Sequence, residues 1–326
     1  MRVCVLGGGA WGTALASHAA RAGLPVRIWI REPEVAAAVN EKRENPVYLP
    51  GVELPPGLRA TPHLEEALAD AQTVLVVVPS AFCRAVYRQA GGLAPEGAVF
   101  VSATKGLEID TLQRMSEVAA AEAPGRPLAV LSGPSFALEV ARALPTAVVV
   151  ASARHSVAEW VQRPLATRAF RVYSSEDVVG VELAGALKNV IAIASGIIDG
   201  LGYGHNPEAA LITRGLAEIA RLAVALGARP DTLAGLAGLG DLVLTCTGAL
   251  SRNRTVGQRL GRGLPLAEAS AGIHPEGVRT TLAACSLAER KGIEMPIARQ
   301  MKAVLYEGKP PREAVDELML RSLKRE

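Results

Sequence analysis

MRVCVLGGGAWGTALASHAARAG, residues 1–23, sets a short β-branched run against a glycine cluster and then a stretch of alanine-rich helix formers. The run RVCVLG has the composition of a buried strand, and the residues after Gly12 have that of a helix. Between them, Gly7 allows a tight turn, Gly9 lets backbone approach a pyrophosphate, and Gly12 lets the helix pack on the strand. A phosphate would meet the helix N-terminus, where unpaired N–H groups and the helix dipole favour an anion. Glycine spacing alone is weak evidence. Here a strand precedes it, a helix follows, and a second strand, PVRIWI (residues 25–30), comes at the distance a dinucleotide-binding βαβ unit requires.

That second strand is followed by Arg31 and Glu32. An acidic residue at a strand tip holds the ribose diol of NAD, whereas a guanidinium pairs with the 2′-phosphate of NADP. Arg31 therefore favours NADP(H), Glu32 leaves NAD(H) open as well, and the alternative is that Arg31 is an ordinary solvated charge. Trp11 lies next to the loop, where it could simply pack.

Outward from this unit, the strand-like runs TVLVVV, AVFVSA, PLAVLS, TAVVVA and FRVYS alternate with Ala- and Leu-rich stretches to about residue 175. Strand and helix in alternation predict an α/β domain with a doubly wound parallel sheet of the Rossmann type. Beyond that point nearly everything reads as helix broken by Gly or Pro, as in EAALITRGLAEIARLAVALGA at 208–228. The expected organisation is a dinucleotide-binding domain over 1–180 and an all-helical substrate domain over 181–326, in keeping with a length that exceeds one comfortable core.

Composition excludes several classes. Apolar residues make up 49% of the 326 and charged residues 21%, so a disordered or fibrous chain is excluded. The net charge is only +3, without a basic stripe, so nucleic acid is not an expected partner. Cys4, Cys83, Cys246 and Cys285 are far apart without a CxxC pair, which fits reduced cytosolic thiols and no metal site. Met1 runs straight into the first strand, leaving no room for a signal peptide, and no spanning helix is expected. The expectation is a cytoplasmic protein acting on a small molecule.

VELAGALKNVIAIASGIIDG, residues 181–200, places Lys188 among apolar neighbours on every face: Ala184, Leu187, Ile191 and Ala192 around it, with Val190, Ile193, Ala194 and Ile197 on the other sides. With no polar face to snorkel toward, the amine needs a partner, a ligand or a lowered proton affinity, and such a group can exchange protons near neutral pH. Hydride chemistry leaves an oxygen that requires a proton donor or acceptor, and Lys188 is the candidate. Other polar residues lie where ligands bind in such sheets, beyond the carboxyl ends of strands. Lys105 follows AVFVSA, Gly133 and Ser135 follow PLAVLS, and Pro79 and Ser80 follow TVLVVV. Ser135 could equally cap a helix. Asp241 and Thr245 share one face if GLGDLVLTC is helical, with Asp241 alternatively an N-cap. SRNR, residues 251–254, reads as a polar loop whose Arg252 and Asn253 offer donors suited to a phosphate.

Taken together, GGGAWGTALA, VVPSAF, ATKGLE, SGPSFALE, PTAVVVAS, FRVYSSED, GALKNVIAIASGIIDGLGYGHN, ITRGLAE, GLGDLVLTC and SRNR occur in the order of, and resemble, the blocks of the bacterial-type NAD(P)-dependent glycerol-3-phosphate dehydrogenase family. The resemblance covers essentially the whole chain. It implies reversible reduction of dihydroxyacetone phosphate to sn-glycerol 3-phosphate, supplying the glycerol backbone of phospholipids, and a homodimer as the expected assembly. By matching position, Lys188 would be the proton donor or acceptor at the C2 oxygen. Lys105, Gly133, Ser135, Lys188, Asp241, Ser251, Arg252 and Asn253 would hold the substrate. Gly7, Gly9 and Gly12 would form the cofactor loop, and Trp11, Arg31, Lys105, Ala137, Arg252 and Glu276 would contact the cofactor. The chain departs from the family at His274-Pro275-Glu276-Gly277, where an apolar residue is usual at the first position; Glu276 itself aligns. Another two-domain reductase, acting on a 2-keto or 3-hydroxy acid, would share the fold but need a carboxylate clamp instead of a phosphate one. A non-catalytic dinucleotide sensor would have no use for a buried lysine.

Overall fold

The computed structural model describes residues 1–322. Eight short strands form one sheet: β1 Val3–Leu6, β2 Val26–Trp29, β3 Leu58–Thr61, β4 Thr73–Val76, β5 Val99–Ser102, β6 Leu128–Ser132, β7 Thr146–Ala151 and β8 Phe170–Ser175. Their spatial order is β3-β2-β1-β4-β5-β6-β7-β8. The order reverses between β1 and β4, which is the switch point where doubly wound sheets bind ligands.

Side chains along each strand alternate between two hydrophobic layers. Val3 and Val5 of β1 enter one layer with Ala14, Leu15 and Ile28, while Cys4 and Leu6 enter the other with Val74, Val76 and Phe100. A strand buried on both faces requires a continuous apolar run, which is why these segments are rich in Val, Ile and Leu.

Two features differ from the sequence expectation. The edge strand β3, LRAT, pairs in parallel with β2 but has no apolar run of its own; Leu58 and Ala60 face inward while Arg59 is exposed. The sheet is also not wholly parallel, because β7 runs antiparallel to β6 while remaining parallel to β8.

Residues fall into two compact units. One comprises Met1–Glu108 with Gln113–Glu182, and the other comprises Ile109–Leu112 with the chain from Leu183 onward. Among the described residues, the second unit contains no named strand. The helix Val178–Gly200, which begins in the first unit, is long and apolar enough to cross a membrane, with a mean hydropathy of 1.6. Its most apolar window is entirely buried within the protein, as expected of a core helix.

Candidate functional site

The glycine loop follows β1 and opens the helix Ala10–Arg21, whose N-cap is Gly9. No side chain caps this end, leaving the first-turn N–H groups to an outside acceptor. Each glycine has a separate steric reason. Gly7 has φ +123°, and a Cβ there would sit 2.9 Å from the Val77 carbonyl oxygen. A Cβ on Gly12 would meet the Gly7 oxygen at 1.9 Å, whereas one on Gly9 would meet nothing within 4 Å. Gly12 and Gly7 therefore serve the turn, and Gly9 keeps space open over the uncapped helix end. Gly8 is also constrained, because its Cβ would lie 2.7 Å from Ile30.

Trp11 is half-buried, and its Nε1 is buried with no hydrogen-bond partner among the described residues. An open cradle at a helix N-terminus beside an unpaired indole N–H fits a dinucleotide pyrophosphate. Arg31 lies past the end of β2, mostly exposed, and donates to the Glu32 carboxylate at 2.9 Å. Glu32 is the N-cap position of the helix Pro33–Lys42.

Beyond β5 and β6, three predicted residues meet. Lys105 Nζ and Ser135 Oγ each donate to the Gly133 carbonyl at 2.9 Å. Gly133 has φ +134°, and a Cβ would press within 3.0 Å of the Val148 Cα. Ser135 is not a helix cap; Phe136 occupies the N-cap position of the helix Ala137–Ala141, with no side-chain cap bond. Ala137 opens that helix, half-buried.

In the second unit, Lys188 is 5% exposed and lies on the helix Val178–Gly200. Its Nζ donates to Asp241 Oδ1 and to Thr245 Oγ1, the latter at 2.7 Å. Thr245 Oγ1 spends its own proton on the Asp241 backbone carbonyl at 2.6 Å, so toward Lys188 it acts as acceptor. Two of the three ammonium hydrogens are thereby oriented, and the charge is balanced by a carboxylate 1% exposed. The lysine, set among apolar neighbours on its own helix, is thus partnered from another element. Asp241 is the first residue of the helix Asp241–Thr247 rather than its cap, and a π-helical turn, Leu236–Gly240, leads into it. Burial pushes the nearby Cys246 thiol up to about 12, against a smaller downward pull from the Lys188 charge. It therefore stays protonated near neutral pH.

SRNR is not a loop. Ser251 caps the helix Arg252–Gly261, its Oγ accepting from the Arg254 N–H at 3.2 Å. Arg252 is exposed on the first turn, and Asn253 is buried. Asn253 Nδ2 donates to Asn189 Oδ1 at 2.9 Å, and its Oδ1 accepts from the Gly277 N–H at 3.0 Å. Close glycine contacts set this geometry: a Cβ on Gly257 would lie 2.0 Å from the Ile193 oxygen, and one on Gly277 2.5 Å from the Asn189 oxygen. Glu276, half-buried, opens the helix Glu276–Lys291; His274 is exposed.

Within the first unit, the structure gathers Lys105, Gly133 and Ser135 into one cluster and Gly7, Gly9, Trp11 and Gly12 into another. Within the second it gathers Lys188 with Asp241, and links Asn253 to Asn189 and Gly277. Sequence reasoning assigned no role to Gly8, Asn189 or Gly277, although Asn189 stood out beside Lys188 as a polar residue in an apolar run.

Residues 2–158 match the description NAD-dependent glycerol-3-phosphate dehydrogenase N-terminus, and residues 177–316 match the corresponding C-terminus. A Geobacter sulfurreducens protein named glycerol-3-phosphate dehydrogenase, NAD(P)+, is 53% identical over 330 residues, spanning 100% of this chain and 98% of its own. The crystal structure of glycerol-3-phosphate dehydrogenase from Coxiella burnetii superposes with a TM-score of 0.94 at 42% identity, covering 98% of this chain and 99% of that one. A ketopantoate reductase from Ralstonia eutropha shares the fold alone, with a TM-score of 0.62 at 17% identity over 98% of this chain and 100% of that one. With both halves matched and identity above one half along its whole length, the chain belongs to the NAD-dependent glycerol-3-phosphate dehydrogenase family.

Proposed function

We propose that the protein reduces dihydroxyacetone phosphate reversibly to sn-glycerol 3-phosphate, with Lys188 moving the proton at the C2 oxygen. The reading rests on family membership and on one observation above all: a buried ammonium held by Asp241 and Thr245. When bound, NADP(H) or NAD(H) supplies or accepts the hydride at C2. Lys188 gives a proton to the C2 oxygen as the carbonyl becomes an alcohol and takes it back in the reverse direction. Asp241 stabilises the ammonium form, and Thr245 fixes its direction.

Residues 1–180 are assigned as the dinucleotide domain and residues 181–326 as the substrate domain. Gly9 leaves room for the pyrophosphate on a turn shaped by Gly7 and Gly12, with Trp11, Arg31, Lys105, Ala137, Arg252 and Glu276 as further cofactor contacts. Lys105, Gly133, Ser135, Lys188, Asp241, Ser251, Arg252 and Asn253 hold the substrate. Arg252 suits its phosphate because an exposed guanidinium on the first turn adds charge to a helix N-terminus. Arg31 favours NADP(H), with NAD(H) also used. The product supplies phospholipid synthesis. A low net charge without a basic stripe argues against a nucleic-acid partner, four separated cysteines without a CxxC pair suit a cytoplasmic protein, and a homodimer is the assembly we assign.

Purified protein, NADPH and dihydroxyacetone phosphate test the reading. Oxidation of NADPH is expected with this substrate and not with a 2-keto acid; turnover of the keto acid alone would overturn it. Repeating the assay with NADH and with Arg31→Ala reads the preference. The variant is expected to lose efficiency with NADPH and not with NADH.

A further inference from the structure

Asn45 lies in the loop after the helix Pro33–Lys42, far in sequence from the glycine turn, yet it is 0% exposed. Its amide is used at every polar position. Nδ2 donates to the Gly8 carbonyl and to Thr13 Oγ1, both at 2.8 Å, and Oδ1 accepts from the Tyr48 N–H at 3.0 Å. Thr13 Oγ1 in turn donates to the same Gly8 carbonyl at 3.2 Å, closing a buried triangle of Asn45, Thr13 and Gly8.

The Gly8 carbonyl belongs to the peptide unit whose N–H is that of Gly9. Among the described residues no peptide bond is cis, so in this planar unit the C=O and N–H point opposite ways. Two donors pulling the carbonyl toward Asn45 and Thr13 therefore turn the Gly9 N–H away from them, on the residue that caps the helix Ala10–Arg21. The flanking glycines give this peptide little stiffness of its own, since glycine samples φ on both sides of zero.

We propose that Asn45, acting with Thr13, is a positioning residue for dinucleotide binding: the pair locks the Gly8–Gly9 peptide so that the loop is preorganised for a pyrophosphate. The inference rests on the dinucleotide reading above. Preorganisation lowers the ordering cost of binding, so its loss weakens affinity without altering the chemical step.

Two near-isosteric changes test it. Asn45→Asp keeps the shape but replaces the amide donor by an acceptor facing two oxygens, and Thr13→Val removes the hydroxyl while keeping its branching. Thr13→Ser retains the hydroxyl as the conservative control. NADPH and NADH binding is measured directly by titration calorimetry, alongside thermal melting and steady-state kinetics. Both disruptive variants are expected to raise the Kd for either nucleotide about tenfold or more, with kcat at saturating nucleotide within about twofold of wild type. Thr13→Ser should bind as wild type. A folded Thr13→Val protein with wild-type Kd overturns the proposal even if Asn45→Asp does not fold, as does a fall in kcat with Kd unchanged. If wild-type protein binds neither nucleotide, the dinucleotide reading fails first; if it binds both and the variants match it, this inference alone fails.

Discussion

Replacing either of two glycines of the same turn by alanine should produce opposite defects. At Gly9 the backbone has φ −66° and ψ 175°, ordinary extended geometry for alanine, and a Cβ would touch nothing within 4 Å. Alanine is a poorer N-cap than glycine by about 0.5–1 kcal/mol, but it restricts the unfolded chain by a similar amount, so the net change in stability is close to zero. What the methyl group does is fill the space over the uncapped helix end. Losing close approach to about two charge-assisted N–H bonds should weaken NADPH binding by about 10²-fold or more.

At Gly12 the Cβ would lie 1.9 Å from the Gly7 oxygen, so helix and turn must part by about 1.5 Å to reach ordinary contact. That overpacking costs about 3 kcal/mol or more, which lowers Tm by several degrees. Thermal melting and a fluorescence titration with NADPH on each variant separate the two effects. The reasoning is refuted if Gly9→Ala melts early, or if it binds NADPH as tightly as wild type.

Glu218 is 2% exposed and accepts the Ile297 and Ala298 N–H groups at the start of the helix Pro296–Tyr306. Burial raises its pKa from 4.5 to about 7, the two backbone bonds opposing more weakly. The folded state therefore holds this proton more tightly than the unfolded state does. Its stabilising contribution is full below about pH 4.5 and is lost as pH rises through about 7, in all about 3 kcal/mol. Glu218→Gln cannot titrate, so denaturant unfolding at pH 5 and pH 8 should show wild type falling relative to the variant; parallel curves would contradict this. Gly257→Ala sets a methyl group 2.0 Å from the Ile193 oxygen and forces two helices apart. As at Gly12, it should cost about 3 kcal/mol or more, stretch the Asn253–Asn189 bond, and raise the KM for dihydroxyacetone phosphate more than the Kd for NADPH. Melting and kinetics check this, and an unchanged Tm would count against it.

The first βαβ unit was legible because apolar runs, glycine spacing and helix composition all lie within about thirty consecutive residues. The strand β3 was not, since LRAT has an exposed arginine at its centre and depends on pairing with β2. Nothing in TAVVVA encodes direction, so the antiparallel step at β7 emerges only from packing. Lys188 announced itself through its apolar surroundings, and GLGDLVLTC suggested that Asp241 and Thr245 share a face, but their convergence on Nζ joins segments 53 and 57 positions apart. SRNR is polar enough to resemble a loop, and only the capping bond to Ser251 reveals a helix start. Asn45 carried no local signal, because its role depends on a carbonyl 37 positions earlier.

The central claim is that the Lys188 ammonium exchanges the proton at C2. Its most direct test is the rate of NADPH oxidation by Lys188→Ala at saturating dihydroxyacetone phosphate, with NADPH affinity measured on the same sample. The account predicts a kcat lower by about 10²-fold or more with the NADPH Kd unchanged. A kcat within about threefold of wild type would contradict it.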